Sequence, residues 1–167
     1  MKTVKVQKLT RENFHKYGDF VTLIDPLNEP ATGPKDSWCV FFRDMLQLDL
    51  GGAMPSFSTC RVQPRKLVIT DAEYHDHTGE GAMPLDQDAI CWFAPATASR
   101  DLPMDEVEAF LIPRGTMVVI RPGVWHHAAF ATEDKPLNMM IVLPERTYFN
   151  DVYCVPVPED QQVAVEL

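Results

Sequence analysis

Fourteen prolines are scattered through the 167 residues, and this spread decides most of what the chain can fold into. A proline inside a helix removes a backbone donor and clashes with the preceding turn, so long helices have no room here. The intervals between prolines are short and rich in β-branched and aromatic residues, which predicts many short strands joined by turns. Strands are expected over 3–9, 20–24, 38–46, 57–62, 90–94, 107–112, 116–120, 128–131 and 137–143, with Pro113-Arg114-Gly115 as a tight turn between two of them. One short helix is expected after Thr10, a capping residue, over 11–17, with Gly18 ending it. Phe14 and Tyr17 then share its buried face. Residues 25–36, rich in Pro, Gly, Asn and Asp, read as a loop that can lid a pocket, and the last residues from 144 on as an irregular tail. This is the pattern of an all-β sandwich or barrel, one domain over 1–167 with its core at 3–143. Phe41, Phe42, Phe57, Trp92, Phe93 and Phe110 read as core aromatics rather than pocket lining.

Charge narrows the function classes. The net charge of -9 argues against nucleic acid, which needs clustered Lys and Arg, and against anionic lipid. No apolar run approaches the ~20 residues of a membrane span. The first residues alternate charge and Val and lack the apolar core of a signal peptide, so a cytoplasmic protein is expected. Cys39, Cys60, Cys91 and Cys154 form no Cys-x-x-Cys pair and sit beside apolar residues, which reads as buried, reduced thiols.

Two constellations can carry chemistry. In the first, Glu73, His75 and His77 alternate along an extended segment and so share one face, and Glu80, beyond Gly79, can turn back toward them. Imidazole and carboxylate together suit a divalent transition metal, although a His-x-His pair alone is more often a polar strand end. In the second, Gly115 opens a strand, Pro122-Gly123 closes it, and Val124-Trp125-His126-His127 begins the next. One of His126 and His127 should look inward, with Trp125 opposite His126.

A His-x-His with a following Glu, then a Gly-x-x-His after a Pro-Gly turn, is similar to the order of the two cupin motifs. That resemblance implies an all-β cupin-like barrel (double-stranded β-helix, or jelly roll) with a short N-terminal helix. It also implies His75, His77, Glu80 and His126 as ligands of a divalent metal ion such as Ni, Zn, Mn or Fe. The His77-to-Glu80 spacing is one residue tighter than the usual pattern. More specifically, the chain resembles the ureidoglycolate lyase family. The likeness runs through Phe14-His-Lys-Tyr17-Gly18-Asp19, Arg61-Val62-Gln63-Pro64 and the segment from Glu73 to Leu85. It continues through Val107 to Ile112 and through Gly123-Val-Trp-His-His127. Glu80 stands where that family usually has Gln, His77 where it has an apolar residue, and Arg121-Pro122 where it has His-Arg.

The resemblance implies cleavage of ureidoglycolate to glyoxylate and urea, part of allantoin degradation in purine catabolism. That reaction needs a base for the substrate hydroxyl and an acid for the leaving nitrogen. Glu73 and His127 are the candidates for proton transfer. Arg61 and Arg121 are candidates for gripping the substrate carboxylate, Arg121 at the catalytic centre itself, with Trp125 as a further substrate contact. Expected partners are a small-molecule carboxylate substrate and, by analogy, a second copy in a homodimer, with no nucleic acid and no membrane. A metal cupin with other chemistry (isomerase or dioxygenase) and a non-catalytic module that binds a small acid are the alternatives.

Overall fold

The computed structural model describes residues 1–26 and 28–167. Thirteen strands and two short helices follow in order: β1 (Lys2–Lys8), α1 (Arg11–Phe14), β2 (Gly18–Thr22), β3 (Pro55–Val62), β4 (Val68–Ile69), β5 (Asp71–Tyr74), β6 (Glu80–Pro84) and β7 (Ala89–Phe93). Then come β8 (Glu108–Ile112), β9 (Thr116–Ile120), β10 (Phe130–Ala131), β11 (Leu137–Pro144), α2 (Thr147–Asn150), β12 (Tyr153–Pro156) and β13 (Val163–Glu166). One sheet has the order β10-β7-β8-β1-β13-β4 and a second β2-β9-β6-β11-β3, while β5 and β12 pair with each other. The strands curl around a common interior as an all-β barrel.

The side-chain pattern of β7 shows how the layers form. All five of its residues are buried, because both faces of the strand are covered. Ala89, Cys91 and Phe93 join the interior cluster with Phe14, Tyr17, Phe110, Val118 and Leu137. Ile90 and Trp92 join a second cluster with Tyr74, Ala109, Trp125, Val163 and Val165. The interior cluster is built on Phe14, whose ring meets those of Phe20, Phe93 and Phe110 edge-on at 5.9, 5.3 and 5.7 Å. Fully burying one such ring stabilises the fold by about 1.5–3 kcal/mol.

The helix is shorter than the sequence predicts. Thr10 caps it in a capping box with Asn13, but it stops at Phe14. Gly18 is no helix terminator. It opens β2, where an added Cβ would lie 1.8 Å from the Val119 carbonyl oxygen. Residues 38–46 form no strand. Their sole ladder contact among the described residues is the Thr32–Phe41 bridge, and Trp38 and Phe41 are exposed. Phe42, Met45, Leu46 and Leu48 instead lie over Val21 of β2, Leu23 just beyond it, and Met117 and Val119 of β9. Phe57 is also exposed rather than core.

The C-terminal stretch is regular. β13 runs parallel to the first half of β1, and β12 pairs antiparallel with β5. The cysteines are free, but only Cys91 is buried; Cys60 is half-buried, and Cys39 and Cys154 are exposed. Among the described residues no helix is long and apolar enough to cross a membrane.

Candidate active site

Three side chains from separate segments meet at the floor of a pocket inside the barrel. Alternation along β5 sends Ala72 and Tyr74 into the outer cluster, leaving Glu73 and, two residues on, His75 on the inner side. His126 lies opposite Glu73, held by two backbone hydrogen bonds: the Glu73 amide to the His126 carbonyl at 2.7 Å and the His126 amide to the Glu73 carbonyl at 2.9 Å. Glu80 opens β6, paired with Ile120 of β9. His75 Nε2 stands 3.1 Å from Glu80 Oε2, and His126 Nε2 stands 3.4 Å from the same oxygen. All three residues are buried.

The far side of each ring fixes which nitrogen carries hydrogen. His75 Nδ1 is 2.6 Å from the Asp151 carbonyl oxygen, and His126 Nδ1 is 2.9 Å from the Val124 carbonyl oxygen. A carbonyl only accepts, so each Nδ1 carries hydrogen and donates it. Both Nε2 atoms are thereby directed at Glu80, as in metal sites where an outer partner orients each imidazole. Burial opposes charge on Glu80, but the imidazoles of His126 and His75 outweigh it and hold the carboxyl well below its usual range. Burial likewise opposes charge on His126, and the Glu80 carboxylate overcomes it and raises the imidazole.

This donor set fits a divalent ion. Metal bonds of about 2.0–2.2 Å place neighbouring ligand atoms roughly 2.8–3.6 Å apart at right-angled to tetrahedral geometry, a range that contains both distances from an imidazole Nε2 to Glu80 Oε2. The buried His/Glu/His group can therefore hold a metal.

Glu73, His127 and Tyr148 line the same pocket, with Cys60, Phe93, Ile120 and Met139 among its apolar walls. Both histidines of the His126-His127 pair thus reach it, His126 buried and His127 partly exposed. The structure does not bring the other sequence candidates there. His77 is corrected as a ligand: β5 ends at Tyr74, so strict alternation lapses before residue 77. Its side chain is 79% exposed and its Nδ1 lies 3.0 Å from Asp151 Oδ1. Arg61 points away because its neighbour Cys60 faces in; it donates to Asn138 Oδ1 at 3.3 Å on the exposed side of β3. Arg121 follows the inward Ile120, lies exposed and donates to the His15 carbonyl. Trp125, beside the inward His126, is buried in the outer cluster, 4.6 Å from the Tyr74 ring, with its Nε1 donating to Thr97 Oγ1 at 3.3 Å. Among the described residues no Arg or Lys lines the pocket.

Two residues escaped the sequence reading. Asp151 gives its carbonyl to His75 and its carboxylate to the amides of Asp76 and His77, at 2.8 and 3.0 Å, and to the Thr78 hydroxyl at 3.3 Å. It pins the turn after β5 to the end of α2. Tyr148, on α2, stands at the pocket mouth, its hydroxyl made harder to ionise by burial and by the charges of Glu80 and Glu73. Neither sits in a motif; both are brought in by chain more than 70 residues from His75.

The family model for ureidoglycolate lyase matches residues 1–166. A ureidoglycolate lyase of Burkholderia cepacia is 31% identical over 134 residues, covering 78% of this chain and 73% of that protein. One from Burkholderia mallei (strain NCTC 10229) is 31% identical over 140 residues, covering 78% and 76%. Among solved structures, an oxalate decarboxylase of Bacillus subtilis aligns with a TM-score of 0.44 at 14% identity, over 66% of this chain and 27% of that one. The chain belongs to the ureidoglycolate lyase family.

Proposed function

We propose that this protein is a carbon–nitrogen lyase that splits ureidoglycolate, or a closely similar ureido hydroxy acid, into glyoxylate and urea. The observation that carries the reading is the buried convergence of His75, Glu80 and His126 at the floor of a small pocket, in a chain of this family. In this reading these three residues hold a divalent ion, which when bound supplies Lewis acidity to the substrate's hydroxyl and charge to its carboxylate.

The chain's own groups do the rest. Cleavage moves one proton: it leaves the hydroxyl as the carbon–oxygen double bond forms, and a proton reaches the nitrogen as the carbon–nitrogen bond breaks. Glu73, on the inner side of β5, takes the hydroxyl proton, and His127 supplies one to the urea nitrogen. The Tyr148 hydroxyl at the mouth donates a hydrogen bond to an oxygen of the substrate. The apolar walls, Phe93, Ile120 and Met139, thin the water around the reacting atoms and so strengthen each polar contact. Arg61 and Arg121 take no part, since neither reaches the pocket. With no guanidinium among the described residues that line the pocket, the carboxylate-binding duty falls to its imidazoles.

The test is glyoxylate release from ureidoglycolate by the purified protein, as isolated, after exhaustive chelation, and after return of Mn, Ni, Zn or Fe. Activity that disappears on chelation and returns with one of these ions supports the reading. No glyoxylate from the fully loaded protein would remove the lyase assignment, and full activity of the chelated protein would remove the metal.

A further inference from the structure

A second set of ligand atoms stands beside the first. Glu73, His127 and Cys154 each present one donor, and the three donor atoms lie within 4.8 Å of one another. They come together because β12 pairs with β5 in a register that sets Cys154 directly opposite Glu73, while Glu73 bridges to His126 on its other side. Directly paired strand residues project to the same face, so the Cys154 thiol and the Glu73 carboxylate are neighbours, with His127 next along from the bridge. Glu73 and His127 line the pocket; Cys154 is exposed beyond them.

We propose that Glu73, His127 and Cys154 form a second metal site at the pocket mouth, selective for thiophilic divalent ions of the zinc class. Its occupancy inhibits the enzyme by occupying Glu73 and His127.

The chemistry of the two sets differs. The buried set offers two imidazoles and a carboxylate, which suit many divalent ions. The outer set adds a sulfur, and soft thiolate favours zinc over harder ions such as Mn or Mg. Three protein donors leave an open position for water, and the outer set is partly exposed, so an ion there exchanges with solution faster than one at the floor. Partial desolvation against its neighbours, reinforced by the charges of Glu73 and Asp71, raises the Cys154 thiol above its ordinary range although the residue is exposed. Binding therefore exchanges the thiol hydrogen for the metal: the sulfur–hydrogen bond breaks, the sulfur–metal bond forms, and the proton leaves to solvent. The site itself stands on this geometry. Its inhibitory consequence rests on the assignment of Glu73 and His127 to proton transfer.

Cobalt(II), which replaces zinc and is coloured, tests the site directly. Titrated into the intact protein, cobalt is expected to produce a thiolate-to-metal charge-transfer band in the near ultraviolet. The band should vanish in Cys154→Ser, weaken in His127→Ala and persist in Cys39→Ser. No such band in the saturated wild-type protein, or a band retained in Cys154→Ser, overturns the site. The buried set contains no sulfur, so its success or failure leaves this readout untouched. Zinc added to the metal-loaded enzyme should then lower turnover of ureidoglycolate at least tenfold in the wild type and far less in Cys154→Ser. Equal inhibition of both proteins, or of neither, with the cobalt band in place, overturns the inhibitory role while leaving the site.

Discussion

The interior of the barrel is packed solid around Phe14 and hollow around Glu80, and Phe93 is the partition between the two regions. Its ring packs against Phe14 at 5.3 Å and Tyr17 at 5.6 Å, and it also lines the pocket. On the packed side the ring-to-ring contacts are apolar, with the Tyr17 hydroxyl reaching out to Glu108 at the edge, and the stabilisation is collective. On the hollow side, polar groups sit buried, each oriented by a specific partner: Asp151 for His75, Val124 for His126, and both imidazoles for Glu80. The first region makes the fold stable. The second gives up apolar packing to hold charged groups that are costly to bury unless paired.

Substitutions on either side of Phe93 should therefore part company. The largest effect is expected from Phe14→Ala, which opens a void among four aromatic rings and should lower stability by about 3–5 kcal/mol, read from the denaturant midpoint. At temperatures where that variant stays folded, it should still bind metal. Loss of metal binding by folded Phe14→Ala would break the separation between the regions.

Glu80→Gln should do the converse. It keeps the shape of the side chain and removes the charge that both imidazoles face. Metal retention and glyoxylate release should fall by more than the roughly 100-fold that changes to outer-shell partners cost, with a folded barrel by circular dichroism. A variant with wild-type metal content would take Glu80 out of the site.

A smaller effect is expected from Asp151→Ala, about tenfold in metal affinity, because the carbonyl that orients His75 remains while the carboxylate that pins residues 76–78 is lost. Asp151→Asn, which keeps one oxygen acceptor, should recover part of the loss; unchanged affinity in Asp151→Ala would show that His75 needs no such brace. The smallest effects belong to Arg61→Ala and Arg121→Ala. Both are exposed and outside the pocket, so stability should move by no more than about 0.5 kcal/mol and KM should hold. A raised KM in either would restore it as a carboxylate grip.

The same contrast explains what could be read from the sequence. The aromatic core and most strands follow from local rules, since alternation along Thr116–Ile120 or Leu137–Pro144 needs no knowledge of the partner. The meeting of His75, Glu80 and His126 was legible because motif order and strand period both constrain it. Alternation misled at His77, one turn beyond the end of β5, where Asp151 and not the strand decides direction. Asp151 and Tyr148 carry no local signal, because the chain after Pro144 is placed by pairing with β1 and β5 from far upstream. Apolar content misled at 38–46, where the side chains lie over a sheet face without joining a ladder. Proline content misled at the C-terminus: Pro156 sits at the last position of β12, where a missing donor costs little.

The central claim is that one divalent ion binds between His75, Glu80 and His126. Anomalous diffraction from crystals grown with Mn(II) tests it most directly. A peak within about 2.0–2.3 Å of both Nε2 atoms and of a Glu80 carboxylate oxygen is the expected result. Full activity after exhaustive chelation, with no peak between those three side chains in metal-saturated crystals, would contradict it.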